Sequence, residues 1–274
     1  MILTPPRDPL ASIEDAFALF ARCPEEAPFE RALWGGAHAD RLGYAFVAGY
    51  QAAIRHQFPD VPARASLAVT EAGGGHPKAM TTRLVDGRLT GEKTFATLAS
   101  VAEAIFVLAH DGARLVVARI RSDAAGVSIA LRAPTPFAPE IPHAKLTLAD
   151  VVPEAILPGD GFSDYVRPFR TTEDVHVLAA ACAYMIASFD RAIAEEALAL
   201  VFALRSIAAT PAAPEAHLAL AGAFRTARRL AEATPNGDAE TIARWERDRP
   251  LLAIAEIVRA KRTENAWAAV TTTK

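Results

Sequence analysis

Two short stretches carry residue types that could do chemistry. Ser66-Leu-Ala-Val-Thr-Glu-Ala-Gly-Gly-Gly-His76 is a β-like run that ends in Thr70-Glu71 and the glycines Gly73, Gly74 and Gly75. Leu89-Thr-Gly-Glu-Lys-Thr-Phe-Ala-Thr-Leu-Ala99 reads as a hairpin strand that turns at a Phe95-Ala-Thr97 corner. Glycines let a ligand approach the backbone closely, and threonine hydroxyls hydrogen-bond a polar ring edge. Together these residues read as a site for a flat, phosphate-bearing cofactor.

The elements around them change period along the chain. Ser12 caps an amphipathic helix with Ile13, Phe17 and Phe20 on one face, and a second helix is expected over Ala39–His56. Phe58-Pro-Asp-Val-Pro62 then breaks the chain. From Ala63 to Leu157 the period is two, with hairpin turns at Asp86-Gly87 and Asp111-Gly112 and further strands at Val127–Leu131 and Ala144–Leu148. Several short antiparallel strands suggest a sandwich or a barrel. After Gly159-Asp-Gly-Phe162 the pattern is helical: Thr172–Glu195, Glu196–Ala209, Pro214–Ala233 and Ala239–Val270, which form a bundle.

The chain has 274 residues, 51% hydrophobic, with a formal charge of -3. No basic stripe marks a nucleic-acid partner. The longest apolar stretch, Val175–Phe189, suits a buried helix and is too short to span a bilayer. Cys23 and Cys182 lie far apart and read as free thiols of a cytoplasmic protein, and the N-terminus does not read as a signal peptide. The seven histidines fall singly, so no metal site is expected. Among them His76 stands out by its place in the glycine loop, where it reads equally as a ligand donor or a surface residue.

In motif content and order the chain resembles the acyl-CoA dehydrogenase superfamily, as a shortened and divergent member. Thr70-Glu-Ala-Gly-Gly-Gly-His-Pro77 aligns with the family's Thr-Glu-Pro-x-Ala-Gly-Ser-Asp. Thr90-Gly-Glu-Lys-Thr-Phe-Ala-Thr-Leu-Ala99 aligns with its Asn-Gly-x-Lys-x-Trp-Ile-Thr-Asn-Ala. Ala144–Pro153 and Gly159–Phe162 match the strand and link into its bundle. The resemblance implies an α+β fold: a reduced N-terminal helical domain (1–62), a middle antiparallel β-barrel (63–158) and a C-terminal four-helix bundle (159–274).

It also implies a flavin site. Thr70 and Thr97 would hydrogen-bond the isoalloxazine of FAD, Phe95 would replace a tryptophan that packs on the ring, and the backbone of Gly73, Gly74 and Gly75 would line the loop. His76 and Arg170 are the candidate substrate contacts. The segments that hold the adenine and pyrophosphate end in the family, Arg-x-x-Phe-Gly and Gln-x-x-Gly-Gly-x-Gly, have no counterpart. In the family a base glutamate follows an Arg-Asp pair; Arg247-Asp248 is followed at that spacing by Glu256. On a continuous helix Glu256 points to solvent.

The implied function is α,β-dehydrogenation of an acyl-CoA-type thioester by a homo-oligomer. Two other readings stay open: a scaffold that has lost FAD and serves as a partner subunit or acyl binder, and a flavin monooxygenase. Three further features read as structure rather than site: Trp34-Gly35-Gly36 as a helix start, Arg225, Arg228 and Arg229 as a wet helix face, and Glu71 as a brace for the glycine turn.

Overall fold

The computed structural model describes Pro5 to Thr272, divided between two units. The first contains the residues up to His56, Pro136–Glu140 and those from Thr171 on. The second contains Gln57–Thr135 and Ile141–Arg170.

The helices of the chain are α1 (Ile13–Ala21), α2 (Pro28–His38), α3 (Leu42–Gln57), α4 (Arg167–Ser188), α5 (Arg191–Ala209), α6 (Pro214–Leu230), α7 (Ala239–Asp248) and α8 (Glu256–Thr271). A capping box starts α1: Ser12 accepts from the Asp15 amide while Asp15 accepts from the Ser12 amide, each at 3.1 Å. Asp190 and Asp238 cap α5 and α7 more simply, their carboxylates accepting from the Ile193 and Thr241 amides. The helices α3 and α4 are buried along most of their length, as the apolar run Val175–Phe189 predicts.

Two glycines let helices of this unit touch backbone to backbone. A Cβ on Gly36 of α2 would lie 2.1 Å from the Ala180 carbonyl oxygen of α4. A Cβ on Gly49 of α3 would lie 2.6 Å from the Val177 Cα. Gly35 and Gly36 therefore sit inside the last turns of a helix that the sequence pattern missed, not at the start of the next one.

The C-terminal helices also differ from expectation. The break expected between Glu195 and Glu196 falls earlier, at Phe189, where Asp190 caps a new helix. The single helix expected over Ala239–Val270 is interrupted by a 3₁₀ turn at Arg249–Ala253 and by Ala255 at φ 61°. Pro250 removes an amide donor and clashes with the preceding turn, so an α-helix cannot run through it.

The Arg247-Asp248 pair has a structural task here. Fully buried Asp248 accepts from the Ala138 amide at 2.7 Å, and Arg247 donates to Glu140 at 3.1 Å. Together they hold the Pro136–Glu140 segment, which lies between two strands in sequence, within the helical unit.

The strands are β1 (Ala65–Ala68), β2 (Arg83–Val85), β3 (Arg88–Thr97), β4 (Ala104–His110), β5 (Leu115–Arg121), β6 (Val127–Leu131), β7 (His143–Val151) and β8 (Ala155–Ile156). They form one sheet in the order β6-β7-β3-β2-β4-β5-β8, with β1 also on β4. The expected closed barrel is corrected by this order: β6 and β8 stay at the edges. Closure needs the two end strands to pair, and β8 is a two-residue strand whose residues are exposed. Nor is the sheet wholly antiparallel, since β1 and β2 both run parallel to β4. Its core holds Leu89, Ile105, Val107, Val116, Ile120, Leu146 and Val151.

The strand β3 bears the second chemical stretch, and two bulges decide which side chains it presents. Its pairing with β7 shifts between Leu89 and Gly91 and again between Lys93 and Ala96. Strict alternation would keep Lys93, Phe95 and Thr97 on one face. A bulge adds a residue to one strand and re-aims the side chains beyond it. The result is Lys93 and Ala96 inside, with Phe95 turned outward.

Candidate functional site

All of the ring-edge candidates lie in the β unit. Thr70 forms an isolated antiparallel bridge with Phe95, and the Thr94 amide donates to the Thr70 carbonyl at 2.8 Å. The chain then makes a tight loop in which Glu71 and Gly74 exchange both backbone hydrogen bonds, at 3.1 and 2.9 Å. Gly74 adopts φ 92°, a conformation that glycine reaches without a Cβ clash. The Gly75 carbonyl accepts from Arg170 Nη2 at 3.2 Å, and that guanidinium lies over the Phe162 ring. The structure thus brings Thr70, Gly73, Gly74, Gly75, Phe95 and Arg170 to one edge of β3.

Beneath this edge lies a buried charge pair. Lys93 Nζ donates to Glu71 Oε1 at 2.7 Å and to the Leu108 carbonyl at 2.5 Å. The second Glu71 oxygen accepts from the Thr81 amide and hydroxyl, and Oε1 also accepts from the Thr82 amide and hydroxyl. Glu71 braces the loop through backbone hydrogen bonds, with Gly74 and with the Thr81 and Thr82 amides, and also through Lys93, whose role the sequence did not suggest. Burial favours the neutral acid, yet the hydrogen bonds from Lys93, Thr81 and Thr82 outweigh it and hold the Glu71 carboxyl at about 2. Burial pushes the Lys93 ammonium in the opposite sense to its partner's pull, down to about 8.

This pair predicts an acid-dependent stability. The folded-state value of Glu71 lies below its ordinary 4.5, so the unfolded chain takes up the proton first as pH falls. The stabilisation is complete above pH 4.5 and drains away toward pH 2, with a total of up to about 3 kcal/mol. Urea midpoints taken at pH 7, 4 and 3 should fall more steeply for the wild type than for Glu71→Gln. Parallel slopes would show that the carboxylate carries no such linkage.

Three further residues shape the edge. His143 opens β7 opposite Thr97, stacks on Phe95 with ring centroids 4.3 Å apart, and places Nδ1 3.2 Å from Thr97 Oγ1. The Arg132 guanidinium lies 5.5 Å from the Phe95 centroid. Burial, and then the charge of Arg132, push the His143 imidazole down from its ordinary value. No sequence signal marked His143; it stands alone between a proline-rich segment and the strand that it opens. The Thr97 hydroxyl is thus engaged, whereas the Thr70 hydroxyl has no partner among the described residues.

His76 and Glu256 take other places. His76 Nδ1 accepts from the Lys78 amide at 3.2 Å and caps the short 3₁₀ turn Pro77–Ala79, with its side chain exposed. Glu256 is the first residue of α8 and pairs with Arg228 at 2.5 Å, half exposed. Arg229 pairs with Glu196 in the same exposed manner, in keeping with a wet face on α6.

Both cysteines are free thiols, and burial pushes Cys182 up to about 12, where it is inert as a nucleophile. No group of three or more His, Cys, Asp or Glu that could hold a metal occurs among the described residues, and no helix among them is long and apolar enough to cross a membrane.

The residue types at this edge suit a flat ring with a polar rim: Phe95, 39% exposed beside His143 and Arg132, the Thr70 hydroxyl, and a loop of three glycines without side chains.

Solved structures similar to this chain include acyl-CoA dehydrogenases. Butyryl-CoA dehydrogenase from Megasphaera elsdenii superposes with a TM-score of 0.65 at 14% identity, covering 93% of this chain and 89% of its own. Acyl-CoA dehydrogenase from Geobacillus kaustophilus gives 0.60 at 18% identity, covering 94% and 83%. A glutaryl-CoA dehydrogenase from Mycobacterium smegmatis in complex with FADH2 gives 0.51 at 15%, covering 94% and 89%. No family model and no curated protein matches the sequence. The chain has the acyl-CoA dehydrogenase fold.

Proposed function

We propose that the chain is an FAD-dependent oxidoreductase that dehydrogenates an acyl-CoA-type thioester. The observation that carries this reading is the outward edge of β3, where Thr70 faces Phe95 across a bridge beside the glycine loop. Bound there, FAD supplies a two-electron acceptor for the loss of two hydrogens from the α and β carbons. Phe95 walls the ring, Thr70 and Thr97 meet its polar edge, and the Gly73–Gly75 backbone admits it closely. Arg170, fixed on the Gly75 carbonyl, holds the loop in place and offers a cation at its rim. His76 is the other rim residue proposed to meet substrate.

The base is less well served. Glu256 is half exposed and ion-paired with Arg228, so its oxygens are engaged rather than poised for a proton. This pairing, with the missing adenine-binding segments, favours the second reading, a scaffold that no longer turns over a thioester. Anaerobic mixing of flavin-loaded protein with acyl-CoA thioesters separates them: bleaching of the visible flavin band is expected for the enzyme and none for the scaffold. Glu256→Gln should leave the bleaching rate within about two-fold of wild type; a loss of 10²-fold or more would make Glu256 the base.

The exposed apolar side chains Phe202 of α5 and Ile257 and Trp267 of α8, 66%, 87% and 62% exposed, are consistent with the proposed homo-oligomer.

A further inference from the structure

The contact between Thr97 and His143 bears on how this edge would address a ring. A threonine hydroxyl has one proton and two lone pairs, so a partner that takes the proton leaves it only an acceptor, and a partner that donates frees the proton. His143 Nδ1 lies 3.2 Å from Thr97 Oγ1, and the same imidazole stacks on Phe95. The two residues are also backbone partners across β3 and β7, so the sheet fixes their separation.

We propose that His143 is a positioning residue whose protonation decides whether the Thr97 hydroxyl donates to, or accepts from, a ring held against Phe95. With Nδ1 bare, Thr97 donates to His143 and can only accept from the ligand. With Nδ1 protonated, the imidazole donates to Oγ1 and the Thr97 proton turns to the ligand. This rests on the flavin reading above. Oxidised isoalloxazine presents an acceptor nitrogen at its central edge and the reduced form an N–H there, so the two states of His143 favour different redox forms.

The surroundings of His143 disfavour the imidazolium, through burial and then the charge of Arg132, so the change falls on the acid side of the ordinary imidazole value. Arg132 faces it, donating to the Thr94 carbonyl at 2.9 Å. The other charges on β3 and β7 near it, Glu92 and Lys145, pair with each other at 2.7 Å. Lys93 points inward onto Glu71.

The test is FAD binding, read by quenching of flavin fluorescence from pH 5 to pH 8. Wild type is expected to bind oxidised FAD about five- to ten-fold more tightly at pH 5 than at pH 8, the worth of one hydrogen bond. His143→Phe keeps the stacking and should abolish the pH dependence. Thr97→Val keeps the imidazole and should abolish it too, which covers the case of a variant that misfolds. In cofactor-free protein, ¹⁵N spectra should show Nδ1 of His143 unprotonated at pH 8. An equal pH dependence in all three proteins, or a protonated Nδ1 at pH 8, overturns the proposal while leaving the flavin reading intact. Failure of the wild type to bind FAD at either pH overturns both.

Discussion

Replacing Lys93 by methionine is expected to destabilise the protein by about 3–5 kcal/mol, because it strands the Glu71 carboxylate in the sheet interior without its counter-ion. The pair is buried on both sides, with Lys93 fully shielded and Glu71 4% exposed. Lys93 also joins two parts of the sheet, since Nζ donates to Leu108 on β4 as well as to Glu71. Two carboxylate oxygens, two threonine amides and two hydroxyls meet at the same point. Removing the carboxylate as well, in Glu71→Gln/Lys93→Met, should recover part of the loss, because a neutral amide costs far less to bury than an unpaired charge. Thermal or urea unfolding of the single and double variants measures this. An additive double variant would mean that the two charges do not act as a pair. Because the Thr70–Gly75 loop hangs from this pair, Lys93→Met should also weaken whatever the loop holds.

The second large effect is expected at Gly36. Glycine to alanine within a helix ordinarily stabilises by about 0.5–1 kcal/mol, through lost freedom in the unfolded chain. At Gly36 the sign should reverse, with a cost of about 1–3 kcal/mol. The new Cβ would meet the Ala180 carbonyl oxygen, carbon and Cα at 2.1, 2.7 and 2.7 Å, and backbone atoms inside a helix cannot move aside singly. Gly222, inside α6, is the control: nothing lies nearer to its Cβ than Arg225 Nη2 at 3.9 Å. Gly222→Ala should therefore raise the melting temperature while Gly36→Ala lowers it. Equal effects at the two positions would refute the close crossing of α2 and α4.

Much of this architecture is legible in the residues. Ser12, Asp86-Gly87, Asp111-Gly112 and the apolar run after Val175 mark their elements because each acts through neighbours a few positions away. The features that the residues did not disclose depend on distant partners. Gly35-Gly36 looks like the start of the following helix until Ala180 is seen to require the missing side chain at Gly36. The position of Lys93 inside and Phe95 outside stems from a bulge that no propensity encodes. His143 meets Thr97 and Phe95 only because β7 pairs with β3 across a gap of 46 residues. Pro250 was a local signal that the periodicity of the last helix masked.

The site divides in the same way. Its motif residues were readable as a set, and the sheet does bring Thr70, Phe95 and the glycine loop together. The partners that engage Thr97, His76 and Glu256 were not readable, since each is a side-chain or amide contact set by tertiary packing or turn geometry.

The central claim is that the Thr70–Phe95 edge holds an isoalloxazine. The most direct measurement is a titration of FAD with purified protein, followed by quenching of flavin fluorescence, in the wild type and in Phe95→Ala. The account predicts saturable binding at one FAD per chain, weakened about ten-fold by Phe95→Ala through loss of the aromatic wall. No quenching by the wild type, or binding that Phe95→Ala leaves unchanged, would contradict it.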